Sequence, residues 1–421
     1  MRRTRWQGRR ISSNSPEGSA AIGRSAPGLP ARARFALLIV VAGILFGSLY
    51  PFDFAPRGDP RAAVIYLLST WRVWDGGDDL LANILAYMPF GALAVLAVSP
   101  RVPGVVRVLL ASVGGALLSA CVELAQFSDA GRVTSMGDVY ANGGGAAFGA
   151  VLAAVVARLR GPVIDSLRAQ PDAAVVLVAW LGWRLYPFVP GTNLAGVWRA
   201  LDRVLAAPIP PLDDFARHAA VWLLVAGIVA ALSGRGRRWL AAFALLALAG
   251  CEELARVAVS GEPPGLADIG GAAIAGALWA VPVPGRRWRF GVAAVALAAL
   301  IAALRLEPYV FSATPRSFGW VPFASFVRGY TGIAMQNAFE KTALYGGLIW
   351  LLRRAEVPLP IGTGLTALLL FATSFAQVWL PGRSAEITDA ALALLIGVAF
   401  CQLRSMAAHP KSRDEPVEAV V

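Results

Sequence analysis

From Phe35 to about residue 405 the chain is a succession of apolar runs long enough to cross a bilayer, parted by short turns that carry arginine. A hydrocarbon core about 30 Å thick takes roughly 20 helical residues to cross. Inside it every backbone amide must find its partner within the chain. Runs of this kind leave one fold class open, an all-α polytopic transmembrane helical bundle. Composition agrees, since 57% of the 421 residues are hydrophobic and 15% are charged. The mean hydropathy of +0.61 is far above that of a soluble domain. The formal charge of +12 does not indicate nucleic acid, because the arginines sit in short clusters between apolar runs, where they orient a membrane protein. Three cysteines, each inside an apolar run, and two histidines offer neither a disulfide framework nor a metal cage. Cys121 and Cys251 read as small residues packed between helices.

Polar residues punctuate the runs at fixed places. Asp79 and Asn83 stand four apart at the start of the second span, and Glu123 and Gln126 three apart near the end of the third. A turn with Gly131 and Arg132 follows, then Asp138 and Asn142, four apart, open the fourth span. Spacings of three and four put each pair on one helix face. Charged groups at the mouths of apolar helices are aimed at a protein interior, a partner charge or a water-filled pocket.

The same order recurs. Glu253 and Asp268 repeat the fifteen-residue separation of Glu123 and Asp138, and Gln377 and Asp389 repeat the twelve of Gln126 and Asp138. Gly382-Arg383 falls at the offset of Gly131-Arg132, and Asp214 and His218 copy the spacing of Asp79 and Asn83. Matching offsets of this kind mark an internal repeat. They predict about twelve spans as three units of four helices, over 35–160, 171–285 and 289–405. The second and third units have lost members: Arg256 stands for Gln126, Ala272 for Asn142, Ser374 for Glu123 and Lys341 for His218. Residues 1–34 read as a disordered basic tail and 406–421 as a second tail.

With the first residue inside and the spans alternating, the segments bearing Arg101/Arg107, Arg158/Arg160/Arg168, Arg235/Arg237/Arg238, Arg286/Arg287/Arg289, Arg353/Arg354 and Arg404 all fall inside. Both termini are then cytoplasmic in an inner-membrane protein, and the polar residues collect at the outer face. The run from Phe35 to Leu49 leads into Tyr50-Pro51-Phe52 and not into a small-residue cleavage site, so it reads as a retained first span. The loop beyond it, with Trp71 and Trp74, is expected to lie along the interface.

The Asn83-to-Gly91 run with its Pro89-Phe90, Glu123-Leu124-Ala125-Gln126, Gly131-Arg132 and Asp138-Val139-Tyr140-Ala141-Asn142, taken in order, resemble the VanZ-like membrane family. That family is named for a protein that accompanies glycopeptide-resistance genes. The resemblance implies a polytopic envelope protein linked to glycopeptide tolerance, and no settled chemical activity. Four readings of the polar cluster stay open. It can bind or modify lipid-linked or cell-wall material among membrane lipids, with Glu123 and Asp138 on a cationic or sugar-like headgroup and Arg132 on phosphate or carboxylate. It can serve a secondary transporter or lipid flippase, or a membrane-embedded acid/base enzyme. It can also be a buried ion-pair network that holds helices in register. His218 reads as a hydrogen-bonding helix residue or a proton relay. Gly143-Gly144-Gly145 lacks the Lys-Ser/Thr ending of a phosphate loop and reads as helix packing; no cofactor motif is present.

Overall fold

The computed structural model describes residues 29–50, 52–55, 59–71, 77–129, 133–188, 209–232, 238–260, 265–282, 285–324 and 331–407. Fourteen α-helices lie in this set, and no strand forms among the described residues. The chain begins with α1 (Leu29–Leu49), the short α2 (Pro60–Ser69), α3 (Gly77–Ala97), α4 (Gly104–Gln126) and α5 (Met136–Val156). A connecting α6 (Pro162–Ala169) leads to α7 (Pro171–Leu185), α8 (Leu212–Leu232), α9 (Arg238–Ser260) and α10 (Leu266–Ala280). Then come α11 (Arg286–Leu306), α12 (Thr331–Arg354), α13 (Leu359–Ala376) and α14 (Thr388–Ala407).

Eight of these helices, α1, α3, α4, α5, α8, α11, α13 and α14, are long and apolar enough to cross a membrane. Against the expected twelve, α7 and α10 have 15 residues each, and α12 carries Glu340-Lys341 and Arg353-Arg354 within its 24. The loop expected along the interface contains α2, which Asp59 caps by accepting the N–H of Arg61 at 2.9 Å; Trp74 lies outside the described residues. It buries Ala63 and Leu67 and exposes Val64, Ile65 and Leu68.

In each of the three stretches the last helix packs on two predecessors: α5 on α3 and α4, α10 on α8 and α9, α14 on α13 and α12. Small residues make this possible. A methyl group on Gly145 would come within 2.2 Å of the Ile84 carbonyl oxygen, and one on Gly149 within 2.1 Å of that of Met88. Ala146, Ala272 and Ala393 are fully buried on the same helix row. The glycine run is thus a packing surface, as its sequence suggests. Cys121 and Cys251, expected between helices, are instead exposed; their helices turn the adjoining Val122, Glu123, Glu252 and Glu253 inward.

Two cores result. Tyr87, Phe90, Ala94, Val95 and Ala146 belong to a small one inside α3–α5. A larger one, with Trp180, Trp222, Trp279, Phe290 and Trp350, runs through α7–α14. Here the helices interleave: α7 packs chiefly along α12, and α11 lies on α8 as well as on α12 and α13.

One end of the bundle gathers chain ends and arginines. The Arg34 side chain bonds the Ala97 carbonyl at 3.1 Å, Arg32 bonds that of Ser405, and Gln170 bonds that of Ala231 at 3.0 Å. Asp172, 1% exposed, accepts from Arg353 and Arg404, each at 3.0 Å. The beginning of α1 and the end of α14 therefore share a face.

Candidate functional site

The opposite end carries the polar residues. Each first helix leaves it in the same way. Phe52, Phe188 and Tyr309 take left-handed φ values of 65°, 62° and 63°, a region that aromatic residues seldom enter. Their amides bond back three residues, to Leu49, Leu185 and Leu306, at 2.7, 2.7 and 2.8 Å. The chain then crosses over the turn that precedes the last helix, with Ala55 N–H on Ser128 C=O and Ser312 N–H on Trp379 C=O, both at 2.7 Å.

In α1–α5 this turn is folded by the acids. Glu123, 3% exposed near the end of α4, accepts the Ser135 amide at 2.8 Å, and Thr134 Oγ1 donates to the Glu123 carbonyl at 3.0 Å. Ser135 is the N-cap of α5, accepting the Gly137 amide at 3.1 Å. Asp138 in the next turn accepts from Asn83 Nδ2 of α3 at 2.5 Å. Gln126 donates to the Ser48 carbonyl at 2.8 Å, which ties α4 to the end of α1. One turn deeper, Asn142 donates to Ser119 Oγ at 2.9 Å. The structure thus brings together Asn83, Glu123, Gln126, Asp138 and Asn142. Arg132 and the side chain of Asp79 lie outside the described residues.

In α7–α10 the same places are filled by charges of both signs. Glu253 accepts the Gly265 amide at 2.8 Å, as Glu123 accepts Ser135. Arg184, at the end of α7, donates to Glu252 at 2.7 Å, to Glu253 at 3.2 Å and to Asp268. Arg256 adds bonds to Glu253 at 3.0 Å and Asp268 at 3.2 Å. Trp222 Nε1 donates to Asp268 at 2.9 Å, and His218 Nε2 stands 3.6 Å from it. Asp214 takes part through its backbone: His218 Nδ1 bonds its carbonyl at 2.7 Å. Glu252, Glu253 and Asp268 place three oxygens within 4.8 Å of one another, a metal-like spacing, but two guanidinium groups already occupy the acids.

In α11–α14 Asp389 is held by Arg305 and by Lys341, whose Nζ lies 2.7 Å away. Arg305 also donates to Thr373 at 2.7 Å, Ser374 at 2.6 Å and Tyr345 at 3.1 Å. Gln377 donates to the Arg305 carbonyl at 2.8 Å, repeating Gln126 on Ser48. Arg383, at the offset of Arg132, does not join this cluster. Its Nε bonds the Glu307 carbonyl at 2.7 Å, where it closes the turn after α11.

Sequence reasoning missed Arg184, Arg305 and Glu252, and with them Tyr87, Trp222 and Tyr345, four residues past Asn83, His218 and Lys341. The signal was there: Arg184 and Arg305 each stand two residues before an X-Pro-aromatic exit, where α1 has Ser48.

No curated protein and no solved structure matches the chain. The helices that carry Asn83, Glu123, Gln126, Asp138 and Asn142 lie within residues 34–157, and this part of the chain matches the family model described as VanZ/LLP1.

Proposed function

We propose that α1–α5 form a headgroup-binding site at the outer face of the cell membrane, in an envelope protein that influences glycopeptide tolerance by binding lipid-linked or cell-wall material. One gathering of side chains carries this reading: Asn83, Glu123, Gln126, Asp138 and Asn142 meet at one end of the helices that match the family model. In α7–α10 and α11–α14 the buried acids are held by arginine and lysine of the same chain. We read the three stretches as copies of one four-helix unit, on the strength of their common exits, amide caps and glutamine ties. The second and third are then structural descendants, and the first keeps the ligand site. The arginine-rich end is placed in the cytoplasm, with both termini, by the positive-inside rule.

Glu123→Gln and Asp138→Asn keep an oxygen for Ser135 and Asn83 while removing charge. They are expected to abolish the envelope phenotype with membrane abundance near wild type, and Glu253→Gln is expected to leave the phenotype intact. Abundance and glycopeptide tolerance are measured on the same cells. Joint loss of both in the first two variants, or an equal phenotype from Glu253→Gln, would overturn a ligand site in the first unit.

A further inference from the structure

We propose that α4 and α5 hold the phosphate of an anionic phospholipid between Arg107 and Arg158, at the arginine-rich end of the bundle. The two helices pack antiparallel, with Gly115 against Ala146 and Gly143 against Ala116, so the residues just past α5 return to the beginning of α4. There two guanidinium groups converge. A methyl group on Gly104, the first residue of α4, would lie 3.3 Å from a terminal nitrogen of Arg158 and 3.9 Å from one of Arg107. Gly104 and Arg107 stand three apart, on one helix face.

Other arginines of this end are satisfied within the chain. Arg34 bonds the Ala97 carbonyl, Arg160 bonds those of Ala157 and Leu159 at 3.1 and 3.0 Å, Arg168 pairs with Asp165 at 3.3 Å, and Arg353 and Arg404 share Asp172. Arg107 and Arg158 differ. Among the described residues neither guanidinium meets a carboxylate or a carbonyl, and the Nε of Arg107 is buried without a hydrogen-bond partner. Two like charges that reach one point repel each other; an anion at that point offsets the repulsion and supplies acceptors. Phosphate matches the forked donors of guanidinium, since its oxygens take paired N–H bonds. The carrier is a lipid because of what lies alongside. Both helices are long and apolar enough to cross a membrane, so their ends stand at headgroup level. From that end onward Val106, Leu109, Leu110 and Val113 of α4 and Val155 and Val156 of α5 are exposed. Acyl chains cover such a face, and a soluble phosphate leaves it bare. Basic places between spans are where anionic headgroups are held.

The test uses the full chain, purified from vesicles of equal parts phosphatidylglycerol and phosphatidylcholine, and reads the retained lipid by native mass spectrometry. Wild type is expected to retain phosphatidylglycerol over phosphatidylcholine. Arg107→Gln and Arg158→Gln are each expected to lower that preference about ten-fold, as removal of one charge-assisted bond does. Gly104→Leu, which fills the point between the guanidinium groups and leaves the charge unchanged, is expected to lower it too. Arg160→Gln takes the same charge from the same end and is expected to leave the preference as it is. Thermal unfolding checks each variant, and any folded one of the first three decides. No preference in wild type overturns the proposal, and so does an equal fall in Arg160→Gln, which would mark diffuse attraction to a basic surface. In a parallel arm inorganic phosphate is added against sodium chloride of equal ionic strength. Loss of phosphatidylglycerol to phosphate alone would assign the place to a soluble anion and overturn the lipid. These outcomes are separate from those of the headgroup site at the other end, whose acids none of these variants touches.

Discussion

Arg184 is the residue on which most buried charge converges. Three carboxylates, each nearly inaccessible, face one guanidinium at the end of α7. Taking away one partner of such a group leaves the others desolvated and uncompensated, which typically costs about 3–5 kcal/mol. Arg184→Met is therefore expected to deplete folded protein sharply, and Arg184→Met with Asp268→Asn to recover part of the loss; thermal unfolding in detergent measures both. A double variant no better than the single one would show that Asp268 is not the main partner. Glu253 and Asp268 were legible in the sequence because equal offsets repeat, whereas Glu252 has no counterpart at that offset, where α4 carries Val122. The cation was not: an arginine before a Tyr-Pro-Phe exit looks like a boundary charge, and only the folded turn shows it pointing back at α9 and α10.

Among the elements, the α3–α5 contact is the closest, and it depends on hydrogen atoms where other residues carry methyl groups. Gly145 and Gly149 lie over the backbone oxygens of Ile84 and Met88, and Gly91 over that of Ala146. Backbone cannot move aside as a flexible side chain can. Gly149→Ala is expected to force the helices apart and lower stability by about 1–3 kcal/mol. Gly144→Ala, with nothing within 4 Å of the added carbon, is the matched control and is expected to be silent. Equal melting temperatures for the two would show that the contact yields. The small-residue row was readable from sequence, as was the helical class. Helix partners were not, because a run that is apolar all round presents every face alike and its neighbours are chosen by shape.

At the scale of the molecule, polar clusters and basic turns occupy opposite ends. Against a background without Cys121, Cys251 and Cys401, Val133→Cys beside the acid cluster is expected to react with an impermeant maleimide on intact cells. Arg101→Cys, in the turn between α3 and α4, is expected to react only after lysis. The reverse pattern would invert the orientation and move the proposed ligand to the cytoplasm. The alternation of arginine along the chain made the division of ends predictable; the sharing of one core by α7–α14 was not, since it joins residues more than a hundred positions apart.

The boundary near residue 285 is therefore a place in the chain and not in space. Because α7 lies along α12 and α11 rests on α8, a domain swap or truncation at that point would strip two interfaces at once, with Gly182 parted from Phe339 and Arg217 from Glu307. The joint around α6 is different: α1–α5 enclose a core of their own. For anyone grafting α1–α5 onto another scaffold, the natural seam is there, and the eight helices α7–α14 travel as a single block.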